Sequence, residues 1–145
     1  MKNPDAARKA LKDPVANLLR AVRAVAVLCD GEFPVGELRS TQFTLLVMLA
    51  RQRTIVEGQL SRELALDRPA LARDLALLAR RGLIAADRIS DRANCRWRLT
   101  PAGHDEIARL RPCWKRVQTR LMQALGKKDW KTLLSILDRV GQLSG

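Results

Sequence analysis

The chain has 145 residues and fits one compact domain, or one subunit whose core a partner completes. Apolar residues make up 47% and aromatics only 3%, so the core must be built from Leu, Val and Ala, a composition that favours helices. Lys and Arg number 27 against 15 Asp and Glu, a net charge of +12 that predicts attraction to polyanions, meaning nucleic acid or an acidic membrane surface.

No signal-peptide pattern opens the chain, and no apolar run approaches the roughly 20 residues of a membrane span. A cytoplasmic protein with no membrane partner is expected. The widely spaced Cys29, Cys95 and Cys113 and the lone His104 are unlike a metal framework. They also leave no convincing nucleophile–base constellation, and there is no glycine-rich phosphate loop. No metal, cofactor or enzymatic activity is expected.

Residues 1–12 are polar and carry Lys2, Arg8, Lys9 and Lys12, an arm that is frayed or partly helical. A helix begins with Asp13 as cap and Pro14 at the first helical position. Val15, Leu18, Leu19, Val22, Val25 and Ala26 form its apolar stripe, with Arg20 and Arg23 off it. The segment 30–40, "DGEFPVGELRS", reads as a loop. Ser40 or Thr41 is expected to cap the next helix, whose buried side is Phe43, Leu46, Val47 and Ala50. A short extended piece, "RTIV", follows, then a short helix with Val56, Leu60 and Leu64 on one face.

A tight turn at Leu66-Asp67 leads into "RPALARDLALLARRGL". Asp67 supplies a cap, Pro69 tolerates the first turn and Gly82 supplies a stop. Leu71, Leu75 and Leu78 make one buried stripe, while Pro69, Arg73, Ala76 and Arg80 point the opposite way. Two short amphipathic helices so joined read as a helix-turn-helix. After Gly82 the period changes from 3.6 to 2: "LIAADRIS" and "CRWRLT" are strands around the turn cluster "DRAN". This hairpin is a wing, with Cys95, Trp97 and Leu99 on one face. Arg88, Arg92, Arg96 and Arg98 lie on or near it, opposed by Asp87 and Asp91. Such local positive excess suits phosphate binding, where each neutralised phosphate releases counterions; charge guarding a sheet edge is the alternative.

Thr100-Pro101 opens a long helix. Ile107, Leu110, Trp114, Val117, Leu121 and Ala124 follow a heptad a/d spacing, the mark of helix pairing between chains or within a bundle. Pro112 should bend this helix and Gly126 should end it. Asp129 is expected to cap a last helix with Trp130, Leu133, Leu134, Leu137 and Val140 on one face. The terminal helices carry more apolar surface than the small central domain can cover, and a homodimer would cover it.

Three segments resemble the MarR family of winged-helix transcriptional regulators: "STQFTLLVMLA" (40–50), "LDRPALARDLALLARRGLI" (66–84) and "DRANCRWRLTPAGHDEI" (91–107). The last contains the wing Asp-Arg (Asp91, Arg92) and the Leu-Thr-x-x-Gly pattern (Leu99, Thr100, Gly103); a second wing arginine common in the family is replaced by Ala93. The resemblance covers nearly the full length. It implies a mainly α fold with a small β-hairpin wing. In it, residues 40–100 form the winged helix-turn-helix, and 1–39 with 101–145 form a helical dimerisation region. It further implies a triangular homodimer on double-stranded operator DNA, repressing nearby genes until a small molecule or oxidant relieves it.

On that reading helix 68–80 enters the major groove with its N-terminal residues at base edges. Arg68 and Arg73 are the candidates for base or phosphate contact, and Pro69 and Ala70 allow close approach. Gln59 and Ser61 are candidates for phosphate bonds, and Arg88, Arg92 and Arg96 for wing contacts. Arg80 and Arg81 have the alternative role of favouring the helix C-terminus. The family's effector cavity lies between the dimer helices and the DNA-binding domain and often takes aromatic acids. Trp114 is a candidate to line it, with a core position as the alternative. Cys95, beside Arg96 and near Arg92, and Cys113, between Arg111 and Lys115, are candidate redox thiols, because positive neighbours lower a thiol's pKa. An oxidant-sensing regulator is therefore an alternative function. So is a winged-helix module that binds DNA without sequence preference, or binds protein.

Overall fold

The structure, a computed structural model, describes residues 12–87 and 95–144. In chain order it contains α1 (Pro14–Glu32), α2 (Ser40–Arg51), β1 (Ile55–Val56), α3 (Glu57–Glu63) and α4 (Arg68–Arg80). Then come β2 (Ile84–Asp87), β3 (Arg96–Leu99), α5 (Pro101–Leu125) and α6 (Lys127–Gly141), closed by a 3-10 turn over Gln142–Ser144. It is a mainly helical winged helix-turn-helix with long flanking helices, as expected. Among the described residues no helix is long and apolar enough to cross a membrane.

Helix α1 starts as the sequence implies: Asp13 Oδ1 accepts from the Val15 N–H at 2.8 Å. It runs further than expected, through Gly31 to Glu32, and the loop is correspondingly shorter. Phe33 explains the stop, since its N–H donates to the Cys29 carbonyl and its ring is buried in the core. Helix α2 is capped differently from expectation. Arg39, not Ser40 or Thr41, is the N-cap, and its N–H donates to Gln42 Oε1 at 3.0 Å. The buried side of α2 is Gln42, Phe43, Leu45, Leu46 and Leu49; Ala50 is exposed and Val47 half-buried.

Helix α4 matches its reading closely. Asp67 Oδ1 accepts from the Ala70 N–H at 2.7 Å, Leu71, Leu75 and Leu78 are buried, and Gly82 takes φ +72°. The α3–α4 turn holds Ala65 at φ 49°, the left-handed region that L side chains adopt at a cost. The wing strands β2 and β3 pair antiparallel, Ile84 opposite Leu99 and Asp87 opposite Arg96. The sheet has a third strand that the hairpin reading lacks: β1 pairs with β3, Ile55 opposite Trp97, giving the order β1-β3-β2.

The heptad pattern of α5 is satisfied within the chain over its first half. Ile107, Leu110 and Val117 are buried, with Trp114 half-buried against the same core. Cys113, outside that pattern, is buried as well. The helix continues through Pro112. Gly126, at φ 82°, both ends α5 and caps α6; Asp129 sits in the first turn of α6 instead of at its cap, where its charge favours the helix dipole. Helix α6 buries none of its residues, and Val15, Leu18, Leu19 and Val22 of α1 are exposed too.

Gly103 fastens α5 to the wing. Thr100 Oγ1 donates to the Gly82 carbonyl at 2.6 Å and accepts from the Gly103 N–H at 3.1 Å, drawing the first turn of α5 onto the base of β3. A Cβ at Gly103 would collide with the Leu83 carbonyl oxygen and lie 2.5 Å from Leu99 Cδ1. One of the two obstacles is backbone, which yields poorly. Gly103→Ala is expected to lower stability by about 1–3 kcal/mol, the range for overpacking. A urea midpoint equal to the parent's would contradict this.

Candidate nucleic-acid interface and effector cavity

The outward face of α4 borders a groove whose other wall is the first turn of α2. Arg39, Thr41, Ala70, Arg73, Asp74, Ala76, Leu77 and Arg80 line it. Arg73, Ala76 and Arg80 are exposed, as is Pro69. Small residues alternate with guanidiniums, so a rigid surface can come close to the helix axis while long cationic side chains reach past it. Among the described residues Arg39, Arg73 and Arg80 have no carboxylate partner. The ion pairs that do form lie elsewhere. Glu32 holds Arg116 and Arg120 between α1 and α5, Glu37 and Glu106 hold Arg109, and Asp87 holds Arg98. Positive charge is therefore neutralised on the α1–α5 side and left free on the α4 side, the pattern that phosphate attraction requires.

Asp74 is the one acid in the groove, and it is occupied. Gln42 Nε2 donates to Asp74 Oδ1 at 3.0 Å, while Gln42 Oε1 caps α2. One buried amide thus sets both the end of α2 and the rotation of α4. Arg39 and Gln42 were not singled out from sequence, and Thr41 was named only as a possible helix cap. The available signal was a Gln three residues after the helix start, the acceptor position of a capping box.

The other expected DNA contacts fall in different places. Ala70 joins Arg73 in the groove. Arg68 instead folds back over α3, where a Cβ on Gly58 would meet its Nη2 at 3.4 Å. Ser61 Oγ donates to the Leu66 carbonyl at 2.8 Å and closes the helix-turn-helix turn. Gln59 Nε2 donates to Glu63 Oε1 at 2.8 Å, and Gln59 lines a cleft shared with Leu137, Asp138 and Gln142 at the end of α6, away from the α4 groove. Arg96 is exposed on the outer face of β3. Arg88 and Arg92 lie outside the described residues.

A second concavity lies behind α2. Val22, Val25, Ala26 and Cys29 of α1 form one wall, Ser40, Thr41 and Thr44 of α2 another, and Leu64, Leu66 and Trp114 complete a cavity of about 250 Å³. Trp114 is thus both core and lining: its ring lies 5.0 Å from that of Phe43 and stacks on Phe33 at 6.3 Å. The cavity touches α1, the helix-turn-helix turn and the α2 turn that also borders the α4 groove. An occupant would bear on all three. Thr44 Oγ1 is already committed to the Ser40 carbonyl at 2.9 Å.

The Cys95 thiol does not behave as its sequence neighbours imply. Burial, then the carboxylates of Glu57 and Asp87, push the Cys95 thiol up from its ordinary value, the reverse of the expected lowering. These acids are brought to Cys95 by β1 and β2, not by the flanking sequence. Cys113 is buried, and its sulfur accepts from Arg116 Nη2 at 3.2 Å; Arg111 and Lys115 point outward as exposed residues. Cys29, not a redox candidate from sequence, is buried, and burial followed by Asp30 pushes its thiol up.

A helix-turn-helix beside a small three-stranded sheet, flanked by long amphipathic helices, is the fold seen in MarR-family winged-helix regulators. Neither a family model nor a curated protein matches the sequence. Solved structures do. A probable transcriptional regulator from Pseudomonas aeruginosa is 26% identical with a TM-score of 0.77, over 90% of this chain and 98% of that one. The transcriptional repressor CouR, bound to a 23-mer DNA duplex, is 25% identical with a TM-score of 0.79, over 97% of both chains. BpsR of Bordetella bronchiseptica, whose DNA binding is regulated by 6-hydroxynicotinic acid, is 18% identical with a TM-score of 0.79, over 90% of this chain and 95% of that one.

Proposed function

We propose that the chain is a homodimeric, sequence-specific regulator of transcription, a binding protein and not an enzyme, that works as a repressor relieved by a small-molecule effector. Residues 40–100 carry the DNA-binding unit, while 1–39 and 101–145 carry the dimer. The observation that bears most weight is the α4 groove: a helix pinned from behind by three buried leucines and Gln42, with Arg73 and Arg80 in front holding no carboxylate partner among the described residues. The likeness to a repressor seated on duplex DNA and to a regulator governed by a small acid supports the same reading. On this reading the protein works in the cytoplasm, with its DNA. An oxidant sensor built on Cys95 is disfavoured by a thiol pushed up, which holds less thiolate.

Fluorescence anisotropy with the protein's own upstream DNA, against random duplex, tests the reading. The upstream duplex should bind far tighter, and equal affinity would favour a non-specific DNA coat. Arg73 supplies the sharper test. Arg is the commonest reader of guanine, and a bidentate contact discriminates by about 1–3 kcal/mol. Arg73→Ala should lose that much on the matched site and less on random DNA, because phosphate contacts remain. A ratio unchanged from the parent's would make Arg73 a phosphate anchor only.

A further inference from the structure

The buried amide of Gln42 joins the two walls of the α4 groove. We propose that Gln42 is a positioning residue for DNA recognition. It holds Arg39 on the α2 wall and Arg73 on the α4 wall at one fixed spacing, so that a phosphate anchor and a base reader engage the same duplex in register. The inference rests on the regulator reading above for its consequence at DNA, and on the hydrogen bonds of Gln42 for the spacing itself.

Gln42 is 7% exposed, the one polar residue buried in the core among the described residues, so it acts through its neighbours and not by touching DNA. Both ends of its amide are used. Oε1 accepts from the Arg39 N–H and Nε2 donates to Asp74 Oδ1, each at 3.0 Å. Arg39 and Asp74 both line the groove, as does Arg73, the residue before Asp74 on α4. Neither arginine has a carboxylate partner among the described residues, so both cations are left for an anion outside the chain. The tether also accounts for an acid in a groove that is otherwise cationic: Asp74 supplies the acceptor that Gln42 needs.

Leucine packing does not fix this spacing alone. Leu71, Leu75 and Leu78 decide which face of α4 turns inward, but apolar burial is non-directional and lets a helix roll over a shallow range. A hydrogen bond is directional and weakens steeply off its axis. With side chains about 5–6 Å from the helix axis, a roll of about 10° carries a side-chain tip by about 1 Å. A bidentate guanidinium contact, with two bonds to satisfy at once, is spoiled by such a shift, while attraction to phosphate survives it. Loss of the tether should therefore cost discrimination before it costs affinity.

The test is fluorescence anisotropy at mildly alkaline pH, on the protein's own upstream duplex and on random duplex. Gln42→Glu keeps an acceptor for the Arg39 N–H but sets a carboxylate against Asp74. It should lower the upstream-to-random affinity ratio about tenfold, within the range that one bidentate base contact discriminates. Asp74→Ala breaks the tether from the other side without adding a buried charge. It should lower the ratio as well, while random duplex binds tighter because an acid has left the groove. Combining Gln42→Glu with Asp74→Asn restores the parent's net charge and lets the amide now at position 74 donate to the carboxylate now at position 42, so the ratio should recover. Arg39→Ala should weaken both duplexes alike, as loss of a phosphate contact does. Thermal unfolding of each variant identifies the temperatures at which it is folded. A merely structural bond would lower the melting temperature and leave the ratio of the folded protein unmoved. A parent that discriminates while both single tether variants keep its ratio, a double variant that fails to regain it, or an Arg39→Ala protein of parental affinity would overturn the proposal alone. Equal affinity of the parent for the two duplexes would overturn the regulator reading, and this proposal with it.

Discussion

Aspartate at both Leu134 and Leu137 should turn a dimer into a folded monomer and cost operator affinity about 10²- to 10⁴-fold, the gain normally earned by linking two half-site contacts. The physical basis is a mismatch between sequence and burial. Helix α6 places Trp130, Leu133, Leu134, Leu137 and Val140 on one face yet buries none of them, and Leu134 is 50% exposed. Helix α1 repeats the pattern, with Val15 67% and Val22 59% exposed. Apolar surface of this extent on two helices marks an interaction face. Because α6 contributes nothing to the buried core, charges there should not unfold the chain. Sedimentation would report the mass and circular dichroism the retained helix. A parent that already sediments as a monomer at micromolar concentration, or a double variant that keeps full affinity, would refute the dimer.

The same helices show where sequence reasoning stops. The heptad spacing of α5 is real, but periodicity says only that a face is buried, not by which chain. Ile107, Leu110 and Val117 meet their own core, and the surface that remains for a partner lies on α1 and α6. Helix α4 was legible because every signal was local: Asp67 as cap, Pro69 in the first turn, leucines at helical spacing and Gly82 past the end. The α2 cap was not, since Arg39 has no capping side chain and the acceptor arrives from Gln42 three residues on. A two-residue β1 carries no periodicity, so the third strand was invisible. Gln59 sits on a helix of seven residues, too short for its pattern to say which side faces α6. Cys95 failed for a related reason: its electrostatics come from Glu57 and Asp87, which only strand pairing brings near. Across the candidate site, residues whose role depends on their own helix were readable, and those whose role depends on a second element were not.

Leu75→Ala should destabilise the chain by about 2–5 kcal/mol, the cost of a cavity in a packed core. Leu75 is 1% exposed, and Leu71 and Leu78, each fully buried, flank it one turn away on either side. No neighbour can collapse into the gap easily, because α4 is held at both ends. Asp67 caps its start, and the Arg81 and Leu83 N–H groups bond back to the Leu77 and Leu78 carbonyls at its close. Asp74, the adjacent residue, is tethered to Gln42 and prevents the helix from rolling to fill the space. The loss should appear as a lower urea midpoint with an unchanged slope. DNA binding should then fail only near the midpoint, when the fraction of folded protein falls, and should fail equally for matched and random duplex. Arg73→Ala fails in the opposite order, losing discrimination at an unaltered melting temperature, because its side chain is exposed on the far face of the same helix. A Leu75→Ala protein of parental stability would mean that α4 repacks freely. The rigid presentation of Arg73, on which the proposed reading of DNA depends, would then be lost with it.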